Sequence, residues 1–431
     1  MKKMKITLML LLAVSMVLSA CGSKTDSNSA TGDNGNQSTS DEIKTVKVFQ
    51  FKTEIVDGLN ELKVEFEQEY PNIKLDIQTV GGGADYGASL KTKFASGDAP
   101  DIFSNGGYAE MNMWFDRLED LSDQPWVEDL VPLAKEPMTK DGKVYGMPMN
   151  LEGWGFIYNK DLFEQAGITE LPKTISQLEE AAKKLEAIGV TPFANAYQEW
   201  WLTGIQGISP AFAQQDDPDA FIQGLTDGTQ TMVGNEYFEG WANLMQLTLN
   251  YGQKNPLTTD NATALSLIGT GKAAMTQNGN WSQNELDAIN PDLNLGYLPM
   301  PLGEDAEKND KLSVGIPSNL VINKDSAVKE EAKIFLNWLV TSDMGKEYIV
   351  KKFKFIPALS TIEATPEEMG DLGSAVWEYV QQDKVYPAQG SKFPDGASQE
   401  FSGSMQAFFA GKSDVNKMLE DMQASWDSLS K

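Results

Sequence analysis

In residues 271–289, GKAAMTQNGNWSQNELDAI, two amides, Asn278 and Asn280, flank a glycine and precede an isolated tryptophan, Trp281. An indole set between a short strand and a helix can plug a core gap, or it can offer a flat face to a ligand. Neither use breaks a bond, and little else in the chain would. The absence of histidine removes Ser–His and Cys–His nucleophilic pairs and the common zinc sites. There is no GxxxxGK[ST] phosphate loop and no calcium loop, and Gly81-Gly82-Gly83 is not a dinucleotide fingerprint. No catalytic residue, cofactor or metal ligand is assigned. Among 62 Asp and Glu, some pair must fall at the separation a glycosidase needs, yet no spacing singles one out. A carboxylate-based hydrolase therefore stays open.

Charge narrows the ligands. The formal net charge is -27, which repels nucleic acid, and Arg117 is the only arginine, so no arginine cluster can clamp a phosphate. Ten tryptophans are many to carry unless they pack or stack.

These residues need elements to hold them. Residues 44–51, KTVKVFQF, alternate as a strand, an apolar stripe from Leu59 to Tyr70 reads as a helix, and 73–80 reads as a second strand. After the glycine turn, 84–95 reads as a helix and 101–103 as a third strand. Strand, helix, strand, helix, strand predicts a parallel sheet covered by helices, an α/β fold. Further helices are expected over 176–188, 237–249, 261–268, 327–339, 342–350, 366–379, 401–409 and 415–429. Strands are expected over 190–193, 272–275 and 312–322, with 293–302 extended. The body is about 390 residues, long enough for two domains.

Residues 1–20 read as a leader. Lys2, Lys3 and Lys5 precede an apolar run, 6–18, too short to span a membrane comfortably. Leu18-Ser19-Ala20-Cys21 resembles the lipobox of bacterial lipoproteins, which implies cleavage before Cys21 and lipid attachment to it. Cys21 is the only cysteine, so no intrachain disulfide forms. Residues 21–41 read as the lipidated cysteine and a flexible tether. The expectation is a chain anchored by lipid, without a transmembrane helix, at the outer face of a Gram-positive cytoplasmic membrane.

The stretch VYGMPMNLEGWGFIYNKDLFEQAG, 144–167, resembles the extracellular solute-binding proteins of bacterial ABC sugar importers, of the maltose-binding-protein-like kind. So do GDAPDIF at 97–103, 271–281, 315–324 and 335–359, in the same order along the body. The resemblance implies a two-lobed fold with discontinuous lobes and a ligand cleft between them. Lobe one would be 42–151 plus 312–357, and lobe two 152–311 plus 358–431. Asn150, Gly315 and Pro317 would lie on hinge segments. The implied function is capture of an oligosaccharide by a monomeric, non-enzymatic receptor serving an ABC permease; an α-linked gluco- or galacto-oligosaccharide suits the family's general character. The alternatives are a binding protein for another solute, such as glycerol phosphate, and the surface hydrolase above.

A sugar asks for aromatic platforms under its C–H faces and rigid polar groups around its hydroxyls. By resemblance and loop position, the candidates in lobe one are Lys52 and Glu54 after the first strand, Asp85 and Tyr86 after the glycines, and Asp101. In lobe two they are Glu152, Trp154, Trp201, Asn278, Asn280 and Trp281. The glycine at 279 is read as permitting close approach at a turn. Lys52 has a surface reading, Asp101 a turn-bracing one, and Trp281 a core one. Trp200 and Trp201 would point opposite ways if extended, and not if they open a helix.

Overall fold

The structure is a computed structural model, described over residues 42–431. The leader, Cys21 and the tether lie outside the described residues.

The chain alternates strands and helices from its start. β1 (Lys44–Gln50), β2 (Ile73–Thr79) and β3 (Ile102–Asn105) are linked by α1 (Val56–Glu69) and α2 (Tyr86–Ser96). Asp85 caps α2, its carboxylate accepting from Ala88 N at 2.9 Å, and Gly97 ends it in the left-handed region. α3 (Tyr108–Trp114) follows, then a small hairpin, β4 (Thr139–Lys140) with β5 (Lys143–Val144). The remaining strands are β6 (Met147–Pro148), β7 (Glu152–Asn159), β8 (Thr191–Phe193), β9 (Ala273–Gly279), β10 (Leu295–Leu298), β11 (Leu312–Gly315), β12 (Asn319–Ile322) and β13 (Val385–Pro387).

Two sheets result. The first has the order β2-β1-β3-β12-β6, with β1 parallel to β2 and β3, and β12 antiparallel to its neighbours. The predicted three-strand parallel core is therefore present, extended by the antiparallel β12 and, beyond it, β6, which runs parallel to the core. The second sheet has the order β13-β11-β7-β9-β8, with β10 also on β7. The fold is α/β and two-lobed.

The chain crosses between the sheets at 149–151 and at 316–318, and 353–365 leads from the first lobe to the helix Pro366–Gln381 against β7. The crossings are laced together: Met149 N donates to Ser318 O and Leu151 N to Ile356 O, both at 3.0 Å. Asn150 and Pro317 thus lie on crossings, and Gly315 ends the strand before one. The boundary expected at 311/312 is corrected by pairing. β11 bonds to β7 and β13, so residues 312–315 belong to the second sheet and the return begins at Ile316. The predicted strand 312–322 is two strands, one in each sheet. An apolar core runs continuously through Met149, Leu151 and Ile316 into both lobes, while a second core fills lobe two around Phe212, Trp241 and Trp426. No helix among the described residues is long and apolar enough to cross a membrane.

Candidate functional site

The carboxyl ends of β1 and β3 meet the start of β7 at the crossings, and a buried charge cluster forms there. Lys52 follows β1 and is 3 % exposed. Its Nζ donates to Glu54 Oε1 at 2.8 Å and to Glu152 Oε1. Asn150 Nδ2 donates to the same Glu152 oxygen at 3.2 Å, and the Phe355 ring lies 5.0 Å from the ammonium. Burial works against the Lys52 charge, but the carboxylates of Glu152 and Glu54 outweigh it and hold the ammonium above the usual lysine range. Lys52 is therefore no surface lysine. It ties the first strand of lobe one to the first residue of β7, and the cluster keeps one negative charge. Glu285, on the lobe-two helix Gln283–Ile289, adds another: burial raises its carboxyl, and the charge of Glu54 raises it further.

Along β7 from Glu152, an aromatic group forms from three distant parts of the chain. In register across the second sheet, Ser313, Trp154 and Gly279 lie side by side on one face. Glycine leaves that position empty, and the Trp281 ring fills it, 1.8 Å from where a Cβ on Gly279 would sit. The close approach that Gly279 permits is thus that of Trp281 itself. The Trp281 centroid lies 6.5 Å from Trp154 and 6.0 Å from Trp201, the latter edge-on. Trp154 and Trp281 are buried, while Trp201 is half-buried. Trp200 begins a helical segment, so the opposite-faces argument for the pair does not apply.

β9 runs through Gly279, four residues beyond the predicted strand, and a helical turn begins at Asn280, so Asn278 and Gly279 lie on the strand rather than on a turn. Asn278 is committed: its Nδ2 donates to Asn261 Oδ1 at 2.6 Å and its Oδ1 accepts from Gly279 N at 3.0 Å. Asn280 Oδ1 accepts from Gly153 N at 2.9 Å, leaving Nδ2 buried and unpartnered, as is Trp154 Nε1. An unmade bond at a buried donor costs about 1–3 kcal/mol, so a ligand oxygen reaching either donor would offset that cost.

The other candidates serve the fold of lobe one. Asp85 is an exposed helix cap. Tyr86 stacks on Phe49 at 5.0 Å, and its hydroxyl accepts from Ser104 N at 2.9 Å and lies 3.0 Å from Ser104 O. Asp101 precedes β3, at the end of the sheet away from the crossings. It braces the chain there by accepting from Lys47 N at 2.8 Å and Ser326 Oγ at 2.6 Å. Two residues passed over in the sequence lie in the site: Glu285 near Glu54, and Glu199 beneath the Trp201 indole nitrogen. Glu199 adjoins Trp200 in sequence and Glu285 follows Trp281 by four residues, but nothing in type or spacing separates them from the other carboxylates.

The lobes touch around this region. Lys91 pairs with Asp395 at 2.5 Å, Lys354 with Asp287 at 2.8 Å, and Lys392 lies 5.0 Å from the Tyr108 ring. Beneath that mouth, Glu110 Oε2 accepts from Gly106 N at 2.6 Å. Burial pushes the Glu110 carboxyl up to about 7, against the pull of the Gly106 amide; the Asp395 charge adds to the rise and the Lys91 charge opposes it. A folded value above the unfolded 4.5 stabilises at low pH and is lost as pH rises through about 7. Some of the residue is exposed, so screening limits the effect to the order of 1–2 kcal/mol. Urea unfolding from pH 5 to 8 should therefore show stability falling with pH. Glu110→Gln should flatten that slope, and an unchanged slope would assign it to other groups.

Residues 52–346 match the family described as bacterial extracellular solute-binding proteins. Over 346 residues the chain is 25% identical to the melibiose/raffinose/stachyose-binding protein of Bacillus subtilis, covering 77% of this chain and 76% of that one. It is 24% identical to the multiple sugar-binding protein of Streptococcus mutans, covering 72% and 74%. The fold superposes with a TM-score of 0.76 on a sugar transporter from Bacillus licheniformis in complex with stachyose, at 24% identity and covering 89% and 100%. Two lobes joined at laced crossings, with a charge cluster and three indoles meeting on β7, accord with that match over more than half the sequence: the chain belongs to the bacterial extracellular solute-binding proteins.

Proposed function

We propose that the chain is a lipid-anchored receptor that captures a neutral oligosaccharide between its lobes and delivers it to an ABC permease. The ligand class is the α-galacto or α-gluco oligosaccharides, in line with the raffinose, stachyose and melibiose in the relatives' names. The observation that carries the reading is the pairing of an indole trio with an acidic cluster at the crossings. Indoles suit the C–H faces of sugar rings, and carboxylates suit hydroxyl donors. The cation of the cluster, Lys52, is already matched by two carboxylates, so an anionic solute such as glycerol phosphate meets repulsion. Membership of a binding-protein family places the chain among receptors rather than hydrolases. The lipid on Cys21 would keep it beside its permease.

Calorimetric titration with α-galacto, α-gluco, β-gluco, xylo- and fructo-oligosaccharides tests the reading, with each mixture checked for cleavage. Binding at micromolar or lower concentration without products is expected for an α-linked series. Silence across the panel would end the sugar assignment, and products would reopen the hydrolase.

A further inference from the structure

Glu199 has no role in the reading so far. It is 6 % exposed and forms no ion pair among the described residues. Neutral donors hold it instead: Trp201 Nε1 donates to Oε2 at 3.0 Å, and Asn261 N, at the start of the helix Asn261–Gly269, donates to Oε1 at 3.2 Å. From the other lobe the glycine turn 81–83 comes down on the same carboxylate. A Cβ built on Gly83 would lie 3.0 Å from Oε2, inside ordinary contact, and Gly83 has φ +90°. The turn is fixed to lobe one, where Val80 N donates to Gln50 O at 3.0 Å.

We infer that Glu199 is the seat on which the glycine turn rests when the lobes close, and that the same carboxylate positions Trp201. Closing the mouth and setting the angle of that indole are then one event. A side chain at position 83 would have to displace a carboxylate pinned by two hydrogen bonds, so the size of that residue limits closure. The inference deepens the receptor reading and depends on it only where a sugar is used as probe.

Closure can be read without ligand. In the full chain, a zero-length carbodiimide should couple Lys91 to Asp395, which meet only when the lobes are together, and peptide mass spectrometry counts the product. Gly83→Ala should lower the yield about tenfold if a methyl blocks the seat, and Gly83→Ala with Glu199→Ala should restore it. A strained turn alone would depress both variants equally and overturn the inference, as would a wild-type yield in Gly83→Ala. Raffinose supplies the second arm. Glu199→Ala should weaken it about tenfold, and Glu199→Gln, which keeps an acceptor for Trp201, should hold most of the affinity. Equal loss in both overturns the positioning role. If raffinose fails to bind the unaltered chain, the sugar assignment weakens while the carbodiimide yields still decide the closure.

Discussion

Replacing Lys52 by methionine should remove about 3–5 kcal/mol of unfolding free energy, the usual cost of stripping one partner from a buried ion pair. The ammonium is enclosed, with one carboxylate from the loop after β1 and another from the first residue of β7. Methionine fills much the same volume, so packing around Phe355 survives and the loss is electrostatic. Two carboxylates are then left close together in an interior that screens them poorly. Urea unfolding of the variant measures the effect. The double variant Lys52→Met with Glu152→Gln separates charge from packing: it should recover a large part of the loss, because one stranded charge has gone. A midpoint unchanged in Lys52→Met would mean that water reaches the cluster and that it does not tie β1 to the crossing.

Much of the fold was legible because it follows from local rules. The first three strands and their helices repeat in the hydrophobic pattern, and helix starts are marked by caps such as Asp85, Thr174 and Asp260. What stayed hidden was decided by partners far along the chain. Residues 312–322 look like one extended run, yet Leu312–Gly315 pairs with β7 and Asn319–Ile322 with β3, and no local signal marks the change of sheet. Lys52 shows the same limit at the site. A lysine two residues from a glutamate reads as an exposed pair, and its burial depends on Glu152, a hundred residues away. Asp101 and Asn278 are polar residues at strand ends, as ligand contacts often are, but the hydrogen bonds they make run to partners inside the protein. Trp281 was legible in kind, an indole with glycine beside it; that the glycine makes room for the indole itself became visible only in the register of β9 against β7.

That register bears on the remaining prediction. Trp281→Ala should weaken oligosaccharide binding about thirtyfold, near 2 kcal/mol, the scale of an aromatic anchor at the centre of an interface. It should also lower stability by about 3 kcal/mol, since the ring fills the space over Gly279 and alanine leaves a cavity. The two losses need separating, and Trp281→Phe does so. A phenyl ring keeps a flat face between Trp154 and Trp201 and fills most of the space, so it should restore most of the stability and only part of the affinity. If Trp281 were solely a core residue, affinity would follow stability, and both variants would bind normally wherever they remain folded. Trp201→Ala completes the comparison. Trp201 is the half-buried edge of the trio and meets Trp281 at 6.0 Å, so the pair should lose less affinity together than the sum of the single losses. Additive losses would show two independent platforms. A sub-additive result would show that the sugar ring rests on the pair as one surface, with Trp281 holding Trp201 in place from beneath.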